Sequence, residues 1–179
     1  MKQHIRTLLL LLIFNIFVQL LYSQIYKEEE VKAAYIKTIT GFVTWPKLEK
    51  KSDSFSILLF GKSKNNKAIK QLYENEKING KFINIRIIDD PAKINYCDII
   101  FINTINQQQL TQVISRAKKC KALIFSDTVG YAQQGSHINF YIEQSKVKFE
   151  INIESVVEDG FFIQSLLLDY AKIIKAKVN

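Results

Sequence analysis

Few residues in this sequence have the types and spacing that catalysis or metal binding requires. His4 and His137 are the only histidines, and the neighbours of His137 in sequence include no nucleophile with a third orienting group. Gly61-Lys62-Ser63 follows an apolar run as a phosphate-binding loop would, but the glycine spacing of such a loop is missing. The sequence therefore predicts a protein that is not an enzyme and that has no cofactor and no metal site.

Ser126 and Asp127 are the candidate ligand contacts that position alone suggests. They directly follow an apolar run, Cys120 to Phe125, that is typical of a buried strand. Open α/β sheets bind ligands outside the carboxyl ends of their strands. A structural turn at Ser126 and Asp127 is the alternative interpretation.

Cys97 and Cys120 are the two cysteines of the chain and are candidates for a disulfide in an oxidising compartment. Each opens an apolar run that suits a strand, and a helical pattern connects the two runs, which favours neighbouring strands. Neighbouring strands lie about 5 Å apart, within disulfide range, and closing this loop would contribute about 3 kcal/mol. The alternative is a pair of thiols that pack as small apolar residues.

Residues 1–23 have the pattern of a secretory signal peptide. Lys2 and Arg6 form a basic start, an apolar run follows, and Ser23 offers a small residue at the cleavage edge. The run is shorter than the about 20 residues that span a bilayer. We expect cleavage near Ser23, which leaves one exported domain, residues 24–179, that does not span the membrane. An uncleaved N-terminal anchor is the alternative.

The formal net charge of +8 raises the question of a nucleic-acid partner. The lysines are spread over the chain, and no basic block interleaves with aromatic residues. Because recognition of nucleic acid needs such a concentrated basic surface, the sequence argues against a nucleic-acid partner.

The stretch from Val31 to Pro46 predicts an amphipathic helix that opens the domain. One apolar stripe at helical period is formed by Val31, Tyr35, Ile39 and Phe42. Gly41 weakens the last turn, Pro46 cannot continue it, and Thr44-Trp45 just before the proline is expected to be extended. Trp45, the only tryptophan, is expected to fold back onto the core under this helix. The alternative is an exposed recognition residue, so Phe42 and Trp45 are candidate partner contacts.

Apolar runs that suit strands alternate with helical patterns up to residue 125. Strands are predicted over 55–60, 82–88, 97–102 and 120–125, and helices over 66–76 and 107–119. This alternation predicts a single α/β domain with a mixed, mostly parallel sheet flanked by helices on both faces.

The C-terminal third predicts a β-hairpin and a closing helix. Residues 137–142 and 147–151 alternate between apolar and polar side chains as paired strands do. Gly160 is expected to divide the closing segment into a turn of helix and a longer helix. The apolar residues assigned to that longer helix are Phe161, Ile163, Leu166, Leu167, Tyr170, Ile173 and Ile174.

Several of these stretches, in the same order, resemble the YfiR family of exported bacterial proteins. The opening that ends in Phe42-Val43-Thr44-Trp45-Pro46 is similar to that family's FVxWP, and residues 97–102, CDIIFI, are similar to its CxxLFI strand. Residues 135–140 and 147–152 resemble its hairpin, and residues 165–171 resemble its SxLLxLA ending. The resemblance covers residues 31–174.

The resemblance implies a periplasmic α/β domain without known catalysis. The best-understood members of that family repress a membrane diguanylate cyclase by holding its periplasmic sensor domain, and redox state tunes that hold. The resemblance implies that a disulfide between Cys97 and Cys120, if the bond forms, would make the shape of a docking surface depend on redox state.

Two functions of different classes follow. The first is a regulator that binds the periplasmic part of a membrane-bound sensor, a diguanylate cyclase or a histidine kinase. The second is a stand-alone binder of a small molecule or an envelope component. An exposed apolar surface that includes Phe42 or Trp45 would favour docking. A deep cleft near Ser126 and Asp127 would favour ligand capture. A homodimer of the chain is a third partnership that the sequence allows.

Overall fold

The structure is a computed structural model that describes residues 27–46 and 52–174 of the chain. The predicted signal peptide and its cleavage site lie outside the described residues, so export remains a prediction. Among the helices of the described ranges, none has the length and apolar character that crossing a bilayer requires.

Helices and strands alternate along the chain as the sequence pattern predicts. In chain order the elements are α1 (Glu28–Thr40), β1 (Val43–Thr44), β2 (Ser54–Phe60), α2 (Lys64–Tyr73), β3 (Lys77–Ile78), β4 (Lys81–Ile88), a 3-10 turn (Pro91–Lys93), β5 (Ile99–Ile102), α3 (Gln107–Lys119), β6 (Leu123–Ser126), β7 (Ile138–Glu143), β8 (Lys146–Asn152), α4 (Ile153–Glu158), β9 (Phe162–Ile163), α5 (Ser165–Leu168) and β10 (Lys172–Ile174). Side chains cap the starts of α2, α3 and α4. Ser63 accepts a hydrogen bond from the N–H of Asn65, Asn106 accepts one from that of Gln109, and Asn152 accepts one from that of Ser155.

One sheet of eight strands organises the domain, in the order β10-β8-β7-β6-β5-β2-β4-β3. The pairs β10/β8, β7/β6, β6/β5, β5/β2 and β2/β4 are parallel, whereas β8/β7 and β4/β3 are antiparallel. A separate ladder joins β1 to β9. The predicted fold class, a mixed and mostly parallel sheet in one α/β domain, is confirmed.

Helices cover both faces of the sheet and create two apolar cores. Under α1 and α2, the buried core includes Ile36, Ile69 and Phe101. On the other face, Leu110 and Val113 of α3 pack on alternate residues of the same strands. A buried sheet of this kind explains why β2, β5 and β6 read as nearly continuous apolar runs.

The hairpin of β7 and β8 confirms the predicted one, with a tight turn at its tip. Gln144 and Ser145 connect the strands with φ of 49° and 59°. Positive φ at both central residues is the signature of a two-residue turn whose twist matches the twist of the paired strands.

The helix α1 buries a face that is rotated from the predicted stripe and shares only Ile39 with it fully. Its buried residues are Lys32, Ala33, Ile36, Ile39 and Thr40. Val31, Tyr35 and Phe42 are only partly buried. The physical reason is an inward-facing lysine: Lys32 reaches Asp127 inside the fold, which turns the helix away from the stripe that hydrophobicity alone indicates.

The prediction of a long closing helix after Gly160 is wrong. The segment instead forms β9, the single turn α5 and the edge strand β10. Pairing with other strands overrides the helical spacing, because β9 bonds to β1 and β10 bonds to β8. As a result Leu166, Tyr170 and Ile173 point outward, and Phe161, Ile163 and Leu167 are buried.

Candidate functional site

The carboxyl edge of the sheet has a switch point beside β2, where ligands usually bind in open α/β sheets. β4 pairs with one side of β2 and β5 with the other side. The helices that follow β2 and β5 cover opposite faces of the sheet. Ser126 and Asp127 lie at the same edge, at the end of the neighbouring strand β6, as the sequence predicts.

Side chains of the chain itself occupy this edge. Asp127 Oδ2 accepts hydrogen bonds from Lys32 Nζ at 2.9 Å and from Asn65 Nδ2 at 2.7 Å. Asn103 Oδ1 accepts from Asn65 Nδ2 at 3.2 Å, and Asn103 Nδ2 donates to Asn66 Oδ1 at 2.9 Å. Because these groups satisfy one another, the geometry favours the structural interpretation of Asp127, and a ligand role remains a prediction.

Lys32 carries its charge inside this network. Its side chain is 6% exposed, and that of Asp127 is 13% exposed. Burial opposes the charge, but hydrogen bonds to Asp127 and Glu28 outweigh it and raise the pKa of Lys32 above its usual value. A charged and nearly inaccessible ion pair therefore joins α1 to the end of β6.

Ser126 belongs to a second buried polar network that crosses the sheet. Its Oγ lies 2.8 Å from Ser136 Oγ and 2.7 Å from Asn139 Oδ1. Asn139 Nδ2 donates to Glu150 Oε1 at 3.0 Å, and Glu150 Oε2 lies 3.5 Å from Lys172 Nζ. This network ties together the neighbouring strands from β6 to β10. Since Ser126 is fully buried, a ligand could reach it only by opening the sheet.

His137 is a fully buried histidine with both ring nitrogens engaged. Its Nδ1 accepts the N–H of Ile124 at 3.0 Å, so the proton of the neutral ring is on Nε2, which lies 2.8 Å from Asp159 Oδ2. Lys118 Nζ lies 3.5 Å from the same carboxylate oxygen and donates to Ser155 Oγ at 2.9 Å. With Nδ1 held by a backbone amide, this ring has no free nitrogen with which to activate a nucleophile.

Acid should destabilise the protein through His137. Burial lowers the pKa of His137 below its usual value of 6.5, so the unfolded chain takes up a proton that the folded protein does not. The stability that neutral, buried His137 contributes is therefore fully present above pH 6.5. The free energy of unfolding should fall by up to about 1.4 kcal/mol per pH unit below it. Urea unfolding across this pH range measures the slope.

The control for this pH dependence is His137→Gln, which cannot titrate between neutral and mildly acidic pH. We expect the variant to be less stable at neutral pH but to lose most of the slope below pH 6.5. An equal slope in the native protein and the variant would show that the acid sensitivity arises from other groups.

The two cysteines lie near the same end of neighbouring parallel strands, but the prediction that each opens a strand is wrong: Cys97 precedes β5 by two residues, and Cys120 is the C-cap of α3. Ile99 of β5 pairs with Leu123 of β6, and Cys97 and Cys120 precede these residues. Both cysteines pack on the core beneath α3, where Cys97 is buried and Cys120 is partly buried. In the described part of the chain no disulfide joins them. The bond in oxidised protein remains a prediction.

Intact mass measured with and without reductant tests the predicted bond. If it forms in the envelope, reduction should add two hydrogens to the mass and lower the free energy of unfolding by about 3 kcal/mol. Two thiols that alkylate in protein isolated without reductant would contradict it, together with any redox switch built on Cys97 and Cys120.

The end of α1 is joined directly to the C-terminal segment. Thr44 of β1 pairs with Phe162 of β9. The carbonyl of Phe42 accepts the N–H of Gln164 at 3.0 Å. The two ends of the domain therefore lie side by side, although more than a hundred positions separate them in the sequence.

Trp45 packs at this junction but is less buried than predicted. Its ring meets Phe55 and Phe161 edge-on, with ring centroids 6.0 Å away in both cases. This is a favourable geometry for aromatic pairs. Part of the Trp45 side chain stays exposed, so the residue both supports the core and borders the exterior.

An exposed apolar surface lies along the C-terminal segment that joins this junction. We name it the C-terminal apolar surface, and it consists of Phe162, Leu166, Tyr170 and Ile173, which are 62%, 56%, 76% and 46% exposed. Exposed apolar side chains that occur singly are ordinary, whereas a concentration of them in one short segment is typical of an interaction site. The sequence analysis missed these residues as a site, because their spacing also fits the buried face of a helix.

Two solved structures share this fold. A conserved domain protein from Vibrio cholerae has a TM-score of 0.57 and 14% identity, over 83% of this chain and 60% of that chain. The ABC domain from Streptococcus pneumoniae, solved in complex with L-Trp, has a TM-score of 0.55 and 14% identity, over 83% of this chain and 62% of that one. The aligned region is thus about three fifths of each of those chains. At this identity the likeness shows the fold alone.

The comparison with protein families covers most of the sequence. No curated protein matches the chain. The family model described as YfiR/HmsC-like matches residues 29–172, a span that runs from α1 to the start of β10. The ordered motifs and the family match agree, and the chain belongs to the YfiR/HmsC-like family.

Proposed function

We propose that this protein is an exported, non-catalytic regulator that binds the periplasmic part of a membrane signalling protein and modulates its activity. The partner is a diguanylate cyclase or a histidine kinase with a sensor domain outside the cytoplasmic membrane. Membership of the YfiR/HmsC-like family, whose members are periplasmic regulators, supports this role.

The observation that carries the proposal is the C-terminal apolar surface. Phe162 and Tyr170 are large, exposed aromatic side chains, and such residues dominate the energetics of protein interfaces. The ladder of β1 and β9 holds Phe162 in place, because Phe162 pairs with Thr44, the residue before partly exposed Trp45. Exposed aromatic side chains in one short segment suit the centre of an interface, with polar residues around them as the rim.

The test replaces Phe162 and Tyr170 separately with alanine. Because both side chains are exposed, each substitution should change the free energy of unfolding by no more than about 0.5 kcal/mol. Each should weaken partner binding at least about tenfold, which corresponds to about 1.4 kcal/mol. Pull-down from envelope extracts with the native protein should recover a membrane sensor, and binding to its isolated periplasmic domain gives the affinity.

Val129→Ala is the matched control for these variants. Val129 is 91% exposed and apolar, but it lies in the loop after β6 and outside the C-terminal apolar surface. The Val129→Ala protein should bind the partner as the native protein does. Equal affinity of the Phe162→Ala and Tyr170→Ala proteins for the sensor would refute this surface as the docking site.

A groove beside α3 supports the second candidate function, capture of a small molecule or an envelope component. The groove has a volume of about 990 Å³ and lies between α3 and residues 129–135. Among the described residues, no hydrogen-bond partner is found for Gln133 Oε1, which is buried. A ligand that donates an N–H or O–H would satisfy that oxygen once the Gln133 side chain turns toward the groove.

Native mass spectrometry of protein isolated from envelope extracts tests the second function. A bound small molecule that Gln133→Ala loses, without any membrane protein recovered by pull-down, would replace docking with ligand capture. Unliganded protein together with a recovered sensor would support docking.

A further inference from the structure

The fully buried ring of His137 supports the turn that leads into the C-terminal apolar surface. Its centroid lies 5.1 Å from that of the Phe161 ring, and its Nε2 lies 2.8 Å from Asp159 Oδ2. Asp159 ends α4, and Phe162, the first residue of that surface, begins β9. The side chains on either side of Gly160 therefore both rest on one imidazole ring.

A second proton on this ring conflicts with the hydrogen bonds that hold it. Nε2 carries the proton of the neutral ring, so a further proton has to go to Nδ1. There it would meet the N–H of Ile124, whose nitrogen lies 3.0 Å away, and two donors would face each other. Ile124 belongs to β6, which is paired with β5 on one side and with β7 on the other. The ring of His137, rather than the strand, is therefore the part that gives way.

The charges around the ring do not remove this conflict. Among the described residues, Asp159 from the end of α4 and Lys118 from α3 act on His137, and burial together with Lys118 keeps its pKa below the usual value although Asp159 raises it. Lys118 Nζ lies 3.5 Å from the carboxylate oxygen that the ring contacts, so a charged ring would be the second cation on that oxygen. Lys121 adds a further positive charge near Asp159. Glu158, whose carboxylate lies 3.9 Å from Lys118 Nζ, is 71% exposed and screened by water.

Few bonds hold the segment from Asp159 to Gln164, so it can open while the main sheet stays intact. β1 and β9 pair over two residues each and form a ladder separate from the eight-stranded sheet. Beyond that ladder, the carbonyl of Phe42 accepts the N–H of Gln164, and the ring of Trp45 packs edge-on against Phe161. Elements with few tertiary contacts open at a lower free energy than the core of a domain.

We propose that acid releases the C-terminal apolar surface, because protonation drives the ring of His137 out of its site and the segment from Asp159 to Gln164 then separates from β1. This regulation rests on the proposed docking function, since the surface that moves is the one that would bind the sensor. Phe162 leaves the ladder in the open state, and the arrangement of exposed side chains that the partner recognises is lost. A histidine that is buried in one state and solvated in the other is a usual basis of such a pH response.

Proton linkage fixes the direction and the size of the response. His137 stays neutral in the closed state and has its usual pKa of 6.5 in the open state. Because the closed state excludes the proton, its advantage over the open state is complete above pH 6.5 and falls below it. The equilibrium constant for opening should therefore rise by up to about tenfold per pH unit below 6.5. The affinity for the partner falls with the fraction of the protein that remains closed.

Amide hydrogen exchange of the native protein tests the opening without a partner. The amide of Gln164 lies in the segment, and that of Phe161 donates to the carbonyl of Val156 at 3.0 Å. The reference is the amide of Asn103, which donates to the carbonyl of Phe60 in the main sheet at 3.0 Å and exchanges through global unfolding.

The protection factors of Phe161 and Gln164 should be at least about tenfold lower than that of Asn103. They should also fall by up to about tenfold per pH unit below 6.5. Equal protection of the three amides at every pH would show that the domain opens only by global unfolding, and this result would overturn the proposal.

The fluorescence of Trp45 reports the same opening, because Trp45 is the only tryptophan and loses its contact with Phe161. From neutral pH to about pH 5, its emission should move to longer wavelengths while the far-ultraviolet circular dichroism stays unchanged. His137→Gln, which cannot titrate in this range, should show neither the shift nor the slope in exchange. The same pH dependence in a folded His137→Gln protein would contradict the role of His137. If that variant does not fold, the exchange of the native protein decides alone.

Binding to the isolated periplasmic domain of the sensor tests the consequence of the opening. The native protein should bind at least about tenfold more weakly at about pH 5 than at neutral pH, and His137→Gln should bind equally at both. An equal pH dependence in the two proteins, or none in the native protein, would overturn the release of the surface. Absence of binding at any pH would refute the docking function instead, and the exchange slopes, which need no partner, would still decide whether acid opens the segment.

Discussion

Asp127→Ala should lower the free energy of unfolding by about 3 kcal/mol or more, because removing one partner of a buried pair leaves the other charge uncompensated. The Nζ of Lys32 lies 2.9 Å from Asp127 Oδ2, and the two side chains are 6% and 13% exposed. In the variant, Asn65 also loses the carboxylate to which it donates at 2.7 Å. The carboxylate of Glu28, 48% exposed, is a weaker replacement because water screens it. Urea unfolding at neutral pH measures the loss.

Two comparisons separate the buried charge from a general effect of substitution. The double variant Lys32→Met/Asp127→Leu removes both charges and should recover much of the stability that Asp127→Ala loses. Lys37→Ala breaks an exposed pair, Lys37 with Glu76, whose side chains are 47% and 44% exposed. That substitution should cost less than about 1 kcal/mol. A similar loss in Lys37→Ala and Asp127→Ala would contradict a special role for the buried pair.

Trp45→Ala should cost about 3 kcal/mol, the lower end of the range for deleting a large aromatic side chain from a core. The side chain is partly exposed, which keeps the cost from the upper end of that range. The loss arises from its two edge-on ring contacts, with Phe55 and Phe161, which connect the end of α1 to β2 and to the turn before β9. Thermal and urea unfolding both report it.

Trp45→Phe and Phe162→Ala are the controls for this loss. Trp45→Phe retains an aromatic ring between the same neighbours and should keep most of the stability. Phe162→Ala removes a neighbouring side chain that is 62% exposed and should cost no more than about 0.5 kcal/mol. A stable Trp45→Ala protein that no longer binds its partner would instead identify Trp45 as an interface residue.

The sequence by itself determined the alternating architecture of this protein. The helix α3 spans Gln107–Lys119, the range that its apolar spacing predicts. The strand β2 coincides closely with its apolar run, and β5 and β6 begin two and three residues later than predicted, because burial on both faces of a parallel sheet demands apolar residues without interruption. The position of Ser126 and Asp127 at the carboxyl edge follows from the same alternation. The family, too, is predictable from the order of short motifs.

Only the tertiary structure decided what the polar residues at that edge do. Lys32, Asn65 and Asp127 come from three different elements, so no local spacing relates them. A lysine near the start of an amphipathic helix normally faces water, and here burial with a matched carboxylate reverses that preference. The same ion pair explains why the face of α1 that packs on the sheet differs from the apolar stripe.

The closing segment shows the same division between local pattern and tertiary pairing. Phe162, Leu166 and Tyr170 recur every four residues, which is the period of a buried helical stripe. The unpaired sides of β1 and β8 instead bind this segment as strands, since backbone hydrogen bonds to an open ladder outweigh a helix of a few turns. The helical period is thereby broken, and the side chains that it would have buried become the exposed C-terminal apolar surface.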